Sequence, residues 1–504
     1  MVKLQSDTSK WFIAAALFAC CAAPCFISYR SYFLFPDGAD SLARSILVSR
    51  AFWSGHFHGL STFLSADHPP AMMLLGIPWG PIASWESASK CFYTLAALQS
   101  VLASSCLYML LRIGVKPLVL VAVSFCVCAA IGPFPAASRA HLEATSLLAD
   151  GLLGWTSLAA MLLIPFEARV HSRATGSAIL RGIAWGLILS LGVLAKLNFL
   201  FFVGLVVPTL FFIKLRHDRL RNAFAATIAM GCVSAPCIYF LLRHGNVAFN
   251  NAKSASFGLL AHFYYVPLSR FLYGMFFHDS PGLMLSIVFI FVALVFLALK
   301  WRGKYAWPDF IPIMIMIGFT VIVLSSPSKD VRYLFPPIVA IPFLLGILIS
   351  REGFPAPRGI AKVAAALVLL AFLAAGVPTR NLADRASLSR CDAVVSLATR
   401  FDAKRVVLAT DSVTLNINLM RLDGALSGPS FPAIEPIDWS AVANVPIEED
   451  YRTMRESDMV VFQDQVALFP AYTNQRVSEY EQYARQNGRG PIRAGTDLNI
   501  YLMR

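Results

Sequence analysis

Charged residues are scarce in this chain. Of 504 residues, 14% are Asp, Glu, Lys or Arg and 57% are hydrophobic, and the mean hydropathy is +0.64. An ordinary soluble domain carries about 25% charged residues, so this composition excludes a soluble globular protein. Runs of roughly 17 to 25 apolar residues recur along the chain, and each is long enough to cross a bilayer. The sequence therefore predicts a polytopic α-helical membrane protein.

The C-terminal part of the chain has no long apolar run. Residues 378–504 instead alternate short strand and helix patterns, with strands predicted at residues 405–410, 458–463 and 498–502. This pattern predicts a separate soluble α/β domain. It has no glycine-rich phosphate loop and no Cys/His cluster with metal spacing, which favours a lid or an acceptor-docking role without catalysis. Its single cysteine, Cys391, excludes a disulfide framework there.

The chain also lacks a convincing internal repeat, which weighs against transporters built from inverted halves. Its formal net charge of +13 would indicate a nucleic-acid partner in a soluble protein. Here the excess of Lys and Arg in short loops on one side of the membrane accounts for much of it. We therefore expect no nucleic-acid partner.

About eleven apolar runs are candidate membrane spans. They lie near residues 11–29, 91–111, 117–134, 143–165, 178–195, 198–213, 223–242, 283–299, 309–326, 334–350 and 360–377. The first resembles a signal peptide, but its apolar part is long and no clean cleavage site precedes the polar loop, so we interpret it as a retained helix.

The distribution of cations predicts the orientation. Short loops carry more Lys and Arg if the N-terminus is cytoplasmic, and eleven spans then put the C-terminal domain outside. Because the loops are compact and no eukaryotic retention signal is present, we expect a bacterial inner membrane with the C-terminal domain in the periplasm.

Two outside loops are long. The first, residues 30–90, contains a helical pattern from Asp40 to Trp53 that predicts a helix lying along the membrane surface. The second, residues 243–282, is rich in Phe and Tyr. That composition fits an interfacial belt, or a groove for a lipid chain.

Two carboxylates follow the first apolar run. Asp37 and Asp40 lie at the expected mouth of the membrane domain. A charged side chain at the centre of a membrane-spanning helix costs roughly 2.5–3.5 kcal/mol, so carboxylates at or near membrane depth usually serve ions, protons or substrates. Either could act as a general base or hold a metal. The structural alternative is that Asp37 starts a turn and Asp40 caps the following helix.

Two cations are predicted on the outside despite the inside bias. Lys196 ends an apolar run, and Arg332 precedes another. Arg binds phosphate through a bidentate fork and Lys acts as a point charge, so together they would suit a phosphate whose tail lies in lipid. The alternative for each is snorkelling to lipid headgroups.

Further polar residues lie at the same predicted face. His141 and Glu143 enter the fourth run, and Glu143 is a candidate for a carboxylate facing a cavity. His56, His58 and His68 occur in the first loop beside the carboxylates. A divalent metal is one reading of that cluster, although the spacing is not diagnostic.

Three segments carry a family resemblance. The Asp37 motif is followed by Asp67-His-Pro-Pro-Ala-Met-Met-Leu-Leu75, then by a glycine-containing run that ends at Ala195-Lys196, then by Arg332-Tyr-Leu-Phe-Pro-Pro337. In order and sidedness these segments resemble the GT-C membrane glycosyltransferases, in particular the branch of protein O-mannosyltransferases and ArnT-like transferases.

The resemblance implies an inverting sugar transfer from a polyprenyl-phosphate donor to a hydroxyl of a lipid, glycan or protein at the outer face of the membrane. It implies that Asp37 or Asp40 acts on the acceptor, that Lys196 and Arg332, with Tyr333, bind the donor phosphate, and that Glu143, His141 and His68 shape the substrate site. The competing interpretations are a lipid-linked sugar flippase or transporter, and a non-catalytic assembly or sensor protein.

Overall fold

The structure is a computed structural model. It describes residues 36–56, 70–116, 119–120, 123, 149–169, 174–217, 220–257, 267–274, 307–327, 331–350 and 385–503, the last range with gaps at 411, 413–414, 429–430, 438–445, 465–470 and 496. The predicted spans at 11–29, 283–299 and 360–377, and most of 117–134, lie outside these residues. The proposed domain boundary at residue 378 lies outside them too, and it stays a prediction.

Helix α1, Pro36–Trp53, is the first described element. Proline suits the first helical position because its missing N–H has no partner there anyway. Asp37 and Asp40 are therefore both inside the helix, so the alternative in which Asp37 makes a turn and Asp40 caps the helix is wrong. Two 3₁₀ turns follow, Pro70–Leu74 and Ile77–Trp79.

The helix predicted between Asp40 and Trp53 lies within α1, and its orientation along the membrane surface stays a prediction. From Gly38 to Ala51 no residue of α1 is exposed. The Pro70–Leu74 turn contacts α1, and so does a helix from the C-terminal part of the chain. The sequence pattern identified the helix but could not indicate that protein covers its polar face as well.

Nine further helices precede the C-terminal part in the described residues. They are α2 (Trp85–Ser89), α3 (Cys91–Arg112), α4 (Ala149–Glu167), α5 (Thr175–Ala195), α6 (Leu200–His217), α7 (Leu220–Phe257), α8 (Leu268–Gly274), α9 (Trp307–Ser325) and α10 (Phe335–Ser350).

Five helical stretches are long and apolar enough to cross a membrane. They are Trp85–Arg112, Thr175–Ala195, Leu197–His217, Leu220–Asn246 and Trp307–Ser325. Each overlaps a predicted span, and two more predicted spans overlap α4, whose apolar stretch Gly151–Glu167 is shorter, and the 16-residue helix α10. The total of about eleven is not established by the described residues. Helix α7 runs past Arg243 to Phe257, so the predicted start of the second outside loop falls within a helix, and its place outside the membrane stays a prediction. Hydropathy falls beyond Arg243, but the helix, which also contains Pro236, continues through this segment.

Helix α4 lies at the centre of the helical part. It contacts α3, α5, α6, α9 and α10, and its residues from Gly151 to Pro165 are all buried. Gly154 makes room for a neighbour, since a Cβ built there would overlap the Phe335 ring. The first residue of α10 therefore inserts against α4.

The C-terminal part contains a five-stranded mixed sheet. Its strands are β1 (Arg405–Leu408), β2 (Ala433–Pro436), β3 (Met459–Gln463), β4 (Arg489–Ala494) and β5 (Leu498–Leu502). Their spatial order is β2-β1-β3-β5-β4, with β1 parallel to β2 and β3, and β5 antiparallel to β3 and β4.

Three of these strands confirm the sequence prediction, and the sequence missed two. Strand β2 includes no fully buried residue and β4 is largely exposed, so neither has the buried apolar run that identifies β1, β3 and β5. Four helices accompany the sheet: α11 (Arg385–Arg400), α12 (Ile417–Ser427), α13 (Ile447–Glu456) and α14 (Ala471–Asn487).

A buried ionic cluster joins three of the apolar helices. Glu167, at the end of α4, is 1% exposed and accepts from Arg181 of α5 and Lys214 of α6, both at 2.9 Å. The Trp185 indole N–H donates to the same carboxylate at 3.2 Å. Arg181 and Lys214 therefore fix three helices to one another through a single carboxylate.

Candidate active site

Asp40 is held by two arginines. One carboxylate oxygen accepts from Nε of Arg44, one turn along α1, at 2.7 Å, and the other lies 3.6 Å from Arg421 of α12. The Asp40 side chain is 15% exposed. Asp37 occupies the preceding turn of the same helix, and its side chain is outside the described part of the chain. Only Asp40 can therefore be assigned partners.

Close contacts fix α1 against the first-loop turns. The Gly76 N–H donates to the Ser45 hydroxyl at 2.7 Å, and the Ser49 hydroxyl donates to the Gly76 carbonyl at 3.3 Å. A Cβ at Gly76 would lie 2.8 Å from the Ser45 oxygen, so the approach requires glycine. This side of α1 is therefore held at a fixed distance from the turns at 70–79.

Lys196 lies at the elbow between α5 and α6. Its backbone is extended, with φ −159° and ψ 133°, and its N–H donates to the Gly192 carbonyl at 3.0 Å. The turn Leu197–Phe199 then folds Phe199 back over Gly192, where a Cβ would meet the ring at 2.5 Å. The glycine in the motif thus creates the elbow that positions Lys196.

The Lys196 ammonium lies over the Tyr333 ring, 4.7 Å from its centroid. Tyr333 belongs to the 3₁₀ turn Val331–Leu334, and the buried Phe335 that follows fixes this turn against α4. A cation over an aromatic face gains about 0.5–2 kcal/mol. The structure therefore brings together two residues that the sequence separates by more than a hundred positions.

Arg332 has its backbone in the same turn as Tyr333, and its side chain is outside the described part. The Pro70–Leu74 turn contacts both α1 and α5. It thereby joins the helix that carries the carboxylates to the helix that leads to Lys196.

Other predicted site residues cannot be placed. His68, His141 and Glu143 lie outside the described residues. Within the part that is described, no group of three or more His, Cys, Asp or Glu side chains could hold a metal.

Sequence reasoning missed Arg44, Arg50 and Arg421. Arg44 had a detectable signal, since a cation four residues after Asp40 shares its helix face. Arg421 and the Arg50 contact described below had none, because they depend on how the C-terminal part docks.

The whole chain is similar in structure to known proteins, whereas no family model and no curated protein sequence matches it. It aligns with the crystal structure of ArnT from Cupriavidus metallidurans bound to undecaprenyl phosphate, with a TM-score of 0.51, 14% identity and 99% of both chains covered. A second similarity is to the archaeal oligosaccharyltransferase AglB from Archaeoglobus fulgidus in complex with an inhibitory peptide and a dolichol-phosphate, with a TM-score of 0.49 and 12% identity over 96% of this chain and 73% of that one.

At 14% identity the first alignment concerns the fold, and it extends over both the helical part and the C-terminal sheet. It agrees with the independent resemblance of the loop motifs, in which Lys196 and the Arg332-Tyr333 turn now lie side by side. This chain therefore shares the fold of that ArnT structure, in line with the fold that the resemblance of its motifs implies.

Proposed function

We propose that this protein is an inverting glycosyltransferase that moves a sugar from a polyprenyl-phosphate donor to a hydroxyl acceptor at the outer face of the inner membrane. The observation that carries the proposal is the Lys196–Tyr333 contact, which holds a cation beside the turn that contains Arg332. Support comes from the ArnT similarity, since that structure is bound to undecaprenyl phosphate. The acceptor class is a lipid, a glycan or a protein.

In this proposal the donor phosphate is the leaving group. The acceptor oxygen attacks the anomeric carbon opposite the phosphate, a new C–O bond forms, and the bond from that carbon to the phosphate oxygen breaks. The electron pair of the broken bond stays on the phosphate, where Lys196 and Arg332 stabilise the charge that develops. A single displacement of this kind inverts the anomeric carbon. Glu143, His141 and His68 stay candidates for the walls of the sugar site.

A carboxylate of α1 takes the acceptor proton. Both oxygens of Asp40 already face guanidinium groups. Asp37, one turn earlier, is therefore our first choice for the base, and Asp40 for a residue that orients the helix. A general base contributes about 10²–10⁴-fold to a rate, which sets the size of the expected loss.

The test uses the purified full chain, a radiolabelled polyprenyl-phosphate sugar and a membrane lipid extract. We expect Asp37→Asn to lower kcat by about a hundredfold or more and Asp40→Asn to lower it less. Glu448→Gln, on α13, is the control. Wild-type rates in both aspartate variants would contradict the assignment of the base. Movement of the donor lipid across liposomes without any transfer would favour the flippase.

A further inference from the structure

The C-terminal part of the chain packs directly on the carboxylate helix. Helix α12 contacts α1, and α1 has no exposed residue between Gly38 and Ala51. Leu42 and Ile46 of α1 belong to the same buried apolar cluster as Leu419 and Leu422 of α12. The two parts of the chain are therefore joined at the helix that carries the candidate base.

Arg50 forms a polar bridge across this contact. Its Nη1 donates to the Ala425 carbonyl at 2.6 Å, and its Nε donates to the Ile82 carbonyl. Ala425 is in the last turn of α12, where carbonyls have no partner within the helix. A guanidinium at this end also complements the negative end of the helix dipole. Arg50 thus connects α12, α1 and the first loop.

Arg421 makes the second polar contact, with Asp40. The separation is 3.6 Å and the Arg421 side chain is 54% exposed. An ion pair at this distance whose arginine is largely exposed adds little binding free energy. Its effect is on orientation, because it draws one oxygen of Asp40 toward α12 while Arg44 holds the other.

We propose, resting on the glycosyltransferase function above, that Arg50 and Arg421 dock α12 on α1 and make the C-terminal domain a wall of the transfer site. Both arginines are positioning residues, since they act on the α1 carboxylates through helix placement. Loosening α12 therefore lowers kcat for transfer. It leaves the KM for the lipid-linked donor unchanged, because Lys196 and Tyr333, which hold the donor, lie on other segments of the chain.

Hydrogen–deuterium exchange of the full chain in detergent, read by mass spectrometry, tests the docking without an activity assay. In Arg50→Met, which keeps the aliphatic stem and removes the donors, peptides from α12 and α1 should exchange about tenfold faster or more. In Arg421→Gln the increase should be about threefold. In both variants peptides from α4 should be unchanged, which separates local loosening from misfolding.

Arg452→Gln is the matched control, since Arg452 is 59% exposed and pairs with Glu449 within α13 at 3.5 Å. Arg50→Lys keeps a donor and a charge, so it should recover most of the protection. In Asp40→Asn, adding Arg421→Gln should cause no further increase in exchange. Such non-additivity is specific to the pair.

Wild-type exchange in both Arg50→Met and Arg421→Gln would overturn the docking. Faster exchange with unchanged kcat would overturn the claim that α12 is a wall of the site. A wild-type protein that transfers no sugar would instead remove the proposed function, and the exchange rates would still decide whether the two arginines hold α12 on α1.

Discussion

Replacing Glu167 by Gln should destabilise the helical part strongly. The carboxylate is 1% exposed, and it pairs with Lys214, which is 3% exposed, and with Arg181, which is 14% exposed. Removing one partner of a buried ion pair costs about 3–5 kcal/mol, because the remaining charge stays in a medium that solvates it poorly. Gln keeps the shape and can still accept from the Trp185 indole N–H. The loss therefore reports the charge.

An exposed pair provides the matched comparison. Glu449 and Arg452 are 57% and 59% exposed, and Glu449→Gln should cost less than about 1 kcal/mol. Adding Lys214→Met to Glu167→Gln removes a buried cation that has lost its carboxylate, so it should recover part of the stability. The effects of substitutions at contacting residues depart from additivity by about 0.5–3 kcal/mol. The double variant should then be more stable than Glu167→Gln alone.

Thermal unfolding of the intact chain in detergent measures these effects. Trp155 and Trp185 are buried in α4 and α5, and Trp185 donates to Glu167 itself, so tryptophan fluorescence follows the relevant helices. The thermal midpoint should fall clearly for Glu167→Gln and little for Glu449→Gln. Equal midpoints for these two variants, or a double variant less stable than Glu167→Gln, would refute the reasoning.

Two further predictions concern the C-terminal domain and the Lys196 elbow. Burial, and then the charge of Asp392, raises the pKa of Asp423 to about 6. The folded state alone then holds this proton between pH of about 4 and 6, so stability falls as pH rises through that window. Asp423→Asn should add about 1–3 kcal/mol at pH 7.5 and nothing at pH 4, measured by thermal midpoints at both values; a variant no more stable than wild type at pH 7.5 would contradict it. Gly192→Ala puts a methyl group 2.5 Å from the Phe199 ring, so we expect a loss of about 1–3 kcal/mol in thermal unfolding. A Cβ built at Gly231 has no atom within 4 Å, so Gly231→Ala should be neutral or stabilising. Equal changes in the thermal midpoint for Gly192→Ala and Gly231→Ala would count against the steric argument.

Much of the helical fold could be predicted from apolar runs. Five described helices long enough to cross a membrane overlap predicted spans, because hydropathy and length decide which segments a bilayer accepts. Their ends were harder to predict, as α7 shows by continuing past Arg243 to Phe257. Hydropathy marks where a segment leaves lipid, whereas backbone hydrogen bonding decides where a helix stops.

The candidate site could be predicted in part. Local sequence identified Asp37 and Asp40 beside the first run and Lys196 at the end of another, because ionisable groups are rare in such surroundings. Resemblance to a known family also identified Arg332 and Tyr333 as candidate site residues. Local sequence did not give Arg50 or Arg421 a role, since their partners, Ala425 and Asp40, lie hundreds of positions away along the chain.

By itself, then, the sequence determined that this chain enters a membrane, which segments are apolar enough to do so, and that three strands of a C-terminal domain are buried. These properties follow from side-chain chemistry within short windows. Tertiary structure alone decided that Tyr333 lies under Lys196, that Glu167 binds two cations, and that α12 covers α1. Each depends on the packing of distant segments, whose close approach is set by shape and burial rather than by local sequence.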